Sequence, residues 1–125
     1  MTKHILVVDD DPYLREIVEL AIDCFTDWRV DTATTGAEAL RKAIARPFDA
    51  ILLDISLPDS DGFEIFESLR SLPTHRTTPV IALTAQTQSL DRRRLTEMNV
   101  AGVIQKPFAS EILCEQIAKI LRWTS

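Results

Sequence analysis

The 125-residue chain is short of most features that would confine it to a membrane, an oxidising compartment or a metal-stapled fold. Its two cysteines, Cys24 and Cys114, sit in helical patterns beside apolar neighbours without zinc-ligand spacing, so both are read as reduced core or near-core thiols. No apolar run approaches the ~20 residues that cross a bilayer, and the N-terminus has neither the basic region nor the apolar stretch of a signal peptide. No membrane association is expected, and the cytoplasm is the default compartment. Basic charge is also in deficit. A net charge of −5 offers no general attraction to nucleic acid, so direct nucleic-acid binding is not expected. Repeats, low-complexity tracts and linkers are missing, and the length fits one domain spanning residues 1–125. A Gly-rich phosphate loop, which a nucleotide- or flavin-binding module would need after its first strand, is absent; Asp9-Asp10-Asp11-Pro12 stands there with the opposite electrostatics.

What remains is an ordinary globular composition, 46% hydrophobic and 26% charged, arranged in a repeating order. Short apolar runs at His4–Val8, Ala50–Leu53, Val80–Leu83 and Val103–Gln105 suit buried parallel strands, and Trp28–Ala33 alternates as an edge strand would. Between them lie helical patterns. Pro12 suits the first turn of a helix carrying Leu14, Ile17, Val18, Ala21, Ile22 and Phe25; Thr35 and Glu38 fit a capping box for a helix that Pro47 stops. A third helix starts near Gly62 with Asp61 as cap and gives way at Pro73, leaving 72–78 as loop. A fourth carries Leu90, Leu95 and Met98 and ends at Asn99, and Ser110 opens the last. The order βαβαβαβαβα implies a parallel sheet with helices on both faces.

The chemistry collects where strands end. The first run stops at Asp9 and Asp10, the third at Asp54, the fourth at Thr84 and the fifth at Lys106. In a parallel sheet these groups share the carboxyl edge, where open α/β proteins bind ligands. Each alone has a structural explanation, since an aspartate at a strand end commonly caps the next helix. Their coincidence with a hydroxyl and an ammonium argues for a site. Asp11, next to Pro12, is read as an N-cap, Asp59 and Asp61 as loop and cap residues, and Arg92, Arg93 and Arg94 as a solvated surface. His4 and His75, without neighbouring ligand residues, are read as incidental.

From Lys3 to about Leu121 the chain resembles the receiver domains of two-component response regulators, including stand-alone receivers of the chemotaxis type. Four motifs carry the resemblance: Val7-Val8-Asp9-Asp10-Asp11-Pro12, Leu53-Asp54-Ile55-Ser56-Leu57-Pro58-Asp59-Ser60-Asp61-Gly62, Ala82-Leu83-Thr84-Ala85 and Lys106-Pro107-Phe108. The resemblance implies a flavodoxin-like (βα)5 three-layer sandwich with strand order 2-1-3-4-5. It implies that Asp54 accepts a phosphoryl group from a histidine kinase or a histidine phosphotransfer protein, with Mg²⁺ as cofactor. Asp10 and Asp54 then suit direct ligands, Asp9 a water-mediated one, and the Ser56 backbone carbonyl a further one. Lys106 would pair with Asp54 and afterwards with the phosphoryl oxygens, while the Thr84 hydroxyl would bind one of them.

A chain of this type is a switch that catalyses only its own phosphorylation and dephosphorylation. An aspartyl-phosphate phosphatase, the nearest enzyme alternative, would place a second aspartate where Ser56 stands. The chain departs from the family pattern at Val103, where most receivers carry an aromatic residue that changes rotamer; Val103 is therefore expected to be passive. Ser56 and Gln86 hold positions that tune the acyl-phosphate lifetime in the family.

Overall fold

A computed structural model describes residues 2–55, 61–84, 95, 97–106 and 108–123. Its strands are β1 (His4–Val8), β2 (Arg29–Ala33), β3 (Ala50–Asp54), β4 (Val80–Thr84) and β5 (Gly102–Gln105), all parallel, in the order β2-β1-β3-β4-β5. The helices of the described residues are α1 (Pro12–Phe25), α2 (Gly36–Ala45), α3 (Gly62–Ser71) and α4 (Ser110–Leu121). The helix expected around Leu90, together with Ser56, Asp59, Gln86, the arginines 92–94 and Pro107, falls outside the described residues, apart from Leu95 and the segment 97–99.

Sheet pleating divides the core. Ile5, Val7, Leu52, Ile81 and Leu83 point to the face covered by α1 and α4, where they meet Val18, Ile22, Leu113 and Ile117. Their strand neighbours Leu6, Val8, Ile51, Leu53 and Val80 point the other way, onto Ala39 and Ala43 of α2 and Ile65, Phe66 and Leu69 of α3. A strand buried on both faces needs apolar residues at consecutive positions, which is why β1, β3 and β4 read as unbroken runs. β2 and β5 lie at the two edges and are more exposed: the alternation of β2 indicates this, whereas β5, expected to be buried, exposes Val103 and Gln105 because no described strand pairs with its outer side.

Local sequence sets the helix starts. Asp11 and Asp61 each accept a hydrogen bond from the backbone N–H two residues on, at 3.0 and 2.9 Å, and Thr35 Oγ1 accepts from Glu38 N–H at 3.1 Å. The capping box closes one residue early, because Glu38 accepts from Thr34 rather than from Thr35. Asn99 has φ 61°, the left-handed conformation that asparagine tolerates.

Three further expectations need correction. Cys24 is exposed, whereas Cys114 is buried, its Sγ donating to the Ala21 carbonyl at 3.5 Å and its thiol pushed up by burial. The connection after α3 contains a short 3-10 turn, Pro73–His75. His75 is fully buried and not incidental: its Nε2 donates to the Ala43 carbonyl at 2.9 Å, and its Nδ1 lies 3.0 Å from Thr78 Oγ1. Arg70, stacked on Phe66, donates to the carbonyls of both His75 and Thr78, so this turn ties α2, α3 and β4 together.

Candidate functional site

The register of the sheet brings the strand ends level: Val8 is opposite Leu53, Asp54 opposite Leu83, and Thr84 opposite Gln105. Asp9 leaves β1 fully buried, Asp54 closes β3 at 3% exposure, and Thr84 closes β4 at 1%. Lys106 follows β5 directly, and its backbone N–H donates to the Thr84 carbonyl at 2.7 Å. That bond aims the lysine side chain back across the strand ends.

Lys106 Nζ lies 2.7 Å from Asp9 Oδ2 and 3.2 Å from Asp54 Oδ2. The expected pairing with Asp54 is present, yet Asp9 is the closer partner. Carboxylate oxygens of Asp9, Asp10 and Asp54 all lie within 4.8 Å of one another, with Asp10 exposed at the mouth. Like charges this close oppose one another's ionisation. Burial pushes the Asp9 carboxyl up; Lys106 and the Asp11 N–H act against that, and Asp54 adds to it. For Lys106, burial alone would push the ammonium down, but Asp9 and Asp54 outweigh it and hold the group above the ordinary lysine range.

The acidic loop is tightly held. Asp9 N–H donates to the Ala33 carbonyl at 3.0 Å, Asp9 Oδ1 accepts from Asp11 N–H at 2.9 Å, and the Asp9 carbonyl accepts from the Arg15 guanidinium at 2.8 Å. On the other side of the crevice Gly62 presses the start of α3 against the residue after Asp54. A Cβ at position 62 would come 2.3 Å from the Ile55 Cα, so only glycine permits this approach. Both Arg15 and this role of Gly62 were missed from sequence. A helical side chain leans toward its own N-terminus, so a basic residue one turn into the helix after an acidic loop was the available signal for Arg15; nothing in the sequence distinguishes Gly62 from a simple breaker.

Hard oxygen donors carrying three formal negative charges against one ammonium fit a hard divalent cation. Asp9, Asp10 and Asp54 could hold it. Ser56 falls outside the described residues.

The family model for the response regulator receiver domain matches residues 5–118. The chain belongs to that family. This receiver domain is 35% identical over 122 residues to the response regulator ArlR of Staphylococcus saprophyticus, covering 98% of this chain and 53% of that protein. It is 34% identical to the transcriptional regulatory protein KdpE of Mycobacterium tuberculosis, covering 97% and 52%. The chain thus spans about half the length of these curated relatives. A receiver segment also occurs within a kinase: the signal transduction histidine-protein kinase BarA of Shigella flexneri is 32% identical over 109 residues, 12% of its length. Among solved structures, the chemotaxis response regulator CheY4 of Vibrio cholerae superposes with TM-score 0.88 at 29% identity, covering 96% of this chain and 99% of that one. The receiver domain of the sensor histidine kinase PA1611 from Pseudomonas aeruginosa, which has a magnesium ion coordinated in its active-site cleft, gives 0.85 at 29% identity, covering 98% and 99%. Receiver domains of this family interact with histidine kinases and phosphotransfer proteins in two-component systems. The sheet order and helical layers are those the resemblance implied.

Proposed function

We propose that Asp54 of this receiver domain is a phosphoacceptor that takes its phosphoryl group from a phosphohistidine of a histidine kinase or a histidine phosphotransfer protein. The observation that carries this reading is the convergence of Asp54 with Asp9, Asp10 and Lys106 at one edge of the sheet. A carboxylate oxygen of Asp54 forms a bond to phosphorus as the phosphorus–nitrogen bond to imidazole breaks. With the other ring nitrogen of the phosphohistidine protonated, the departing nitrogen keeps the electron pair of the broken bond, the imidazole leaves neutral, and an acyl phosphate remains on Asp54. Repulsion between the anionic carboxylate and the anionic phosphoryl group is the chief obstacle. Lys106 stands 3.2 Å from Asp54, placed to neutralise oxygens as the transfer proceeds. The Thr84 hydroxyl is assigned to one phosphoryl oxygen.

The donor set suits Mg²⁺, which Asp10 and Asp54 would hold directly, Asp9 through water and, by the family pattern, the Ser56 carbonyl, and the magnesium in the cleft of the Pseudomonas receiver supports the same choice. Mg²⁺ would supply positive charge at the transferring oxygens. The chain is read as a switch, turning over only its own acyl phosphate, in the cytoplasm and without membrane or nucleic-acid contact of its own; no described helix is long and apolar enough to cross a membrane. On α1, beside the acidic mouth, Tyr13, Ile17 and Leu20 are exposed at helical spacing and offer apolar surface to a helical phosphodonor.

Incubation with a small phosphodonor and MgCl₂, followed by mapping of base-labile phosphate, tests the assignment. Wild type should be labelled at Asp54, and Asp54→Asn should lose all label. Undiminished labelling of Asp54→Asn at another residue would overturn it.

A further inference from the structure

The geometry points to Arg15 as a positioning residue for the metal-binding carboxylates, acting through the Asp9–Asp10 peptide; this rests on the metal reading above. Three polar atoms of Asp9 are hydrogen-bonded, and the fourth, Oδ2, has no hydrogen bond but sits 2.7 Å from the Lys106 ammonium as an ion pair. The N–H goes to Ala33, Oδ1 to the Asp11 N–H and the carbonyl to Arg15. The ladder to β2 and β3 ends at Val8, so past that point sheet pairing no longer fixes the Asp9 carbonyl. Arg15 takes over, at 2.8 Å, from the first turns of α1.

Asp10 is held differently. Its carboxylate is exposed, and no described residue binds it, yet it lies within 4.8 Å of those of Asp9 and Asp54. With no side-chain partner, its direction follows from the backbone that carries it. The peptide between residues 9 and 10 is the one whose oxygen Arg15 grips. Rotation of that peptide would swing Asp10 away from Asp54 and open the ligand cluster. A guanidinium is a suitable clamp for an acidic loop because it stays charged at any working pH and donates without competing for the cation as a ligand. Its charge adds to the effect by offsetting part of the repulsion among three carboxylates.

Outer groups that orient metal ligands typically contribute 10–100-fold to affinity. Calorimetric titration of the full chain with MgCl₂ should therefore show binding about 10-fold weaker in Arg15→Met, with Arg15→Lys recovering part of the loss. The double variant decides between positioning and general loosening. If Arg15 acts by aiming Asp10, Arg15→Met should cost less than 2-fold in an Asp10→Asn background, roughly the limit of what such a cycle resolves. Unchanged affinity in Arg15→Met, or a full 10-fold loss added to that of Asp10→Asn, would overturn the inference. Should Arg15→Met not fold, Arg15→Ala carries the same cycle with the same two outcomes. Absence of Mg²⁺ binding in wild type would overturn the metal reading and this inference together, whereas binding by wild type and Arg15→Met alike overturns this inference alone.

Discussion

Two charged clusters in this domain have inverse compositions. At the carboxyl edge of the sheet three carboxylates lie together and two of them, Asp9 and Asp54, share Lys106, whose side chain is 18% exposed, while Asp9 is fully buried. On the edge strand β2 a single carboxylate, Asp31, is shared by Lys42 at 3.8 Å, Arg46 at 3.3 Å and the His4 ring at 3.6 Å, all in contact with solvent. Water screens the second cluster, and excess charge there costs little. In the first, burial strengthens both the attraction to Lys106 and the mutual repulsion of the acids. The lesson is that an ion pair's meaning lies in its surroundings: the β2 cluster stabilises weakly, whereas the carboxyl-edge cluster is left short of positive charge that a metal and a phosphoryl transfer can exploit.

The contrast is broken most forcefully by removing Lys106, the cation paired with Asp9 and Asp54. Lys106→Met leaves Asp9 buried without a counter-charge, which should cost about 3–5 kcal/mol in metal-free protein at neutral pH. Saturating MgCl₂ should restore much of that loss in thermal melts, since a cation bound only to the folded state raises its stability. Equal melting of variant and wild type without metal would show that Lys106 does not neutralise the acids.

Removing one acid sharpens the comparison from the other side. Because the native state holds the Asp9 carboxyl above its unfolded value, the folded form binds the proton more tightly than the unfolded chain does. That group therefore favours folding most at low pH, and its contribution falls as pH rises through the folded pKa. Asp9→Asn, which keeps the shape, should lack this decline and melt higher than metal-free wild type at neutral pH, by on the order of 1 kcal/mol or a few degrees. Lys106 shifts the opposite limb: held above the ordinary lysine range, it contributes stability that disappears as pH climbs through its folded value in the alkaline region. Parallel stability–pH curves for wild type and Asp9→Asn between acid and neutral would contradict the assignment.

The smallest effect belongs to β2. Asp31→Asn should lower stability by no more than about 1 kcal/mol, and the difference should shrink with added salt and ignore MgCl₂. A loss comparable to that of Lys106→Met would erase the distinction between the clusters.

Much of this was legible in sequence. Unbroken apolar runs announce strands buried on both faces, Asp11 and Asp61 announce helix starts, and the four strand-end groups announce a site because parallel strands present their ends at one edge. Other features were not legible. His75 looked incidental because, besides the nearby Thr78 hydroxyl, its ring meets the backbone carbonyls of Ala43 and Arg46, which are 29 or more positions away and of a kind every residue has. Cys24 and Cys114 share an apolar setting in sequence, yet one is exposed and one buried, since the phase of each on its own helix, α1 or α4, decides which thiol faces the core.

Sequence by itself determined the alternation of strand and helix, the caps, and the identity of the acids, hydroxyl and ammonium at the strand ends, because these depend on periodicity and residue chemistry. Tertiary structure alone decided that Lys106 sits nearer Asp9 than Asp54, that Arg15 grips the Asp9 carbonyl, and that Gly62 is required by the backbone of Ile55. Each of those turns on ångström-scale distances between segments brought together only by the register of the sheet, and pattern along a chain carries no such distances.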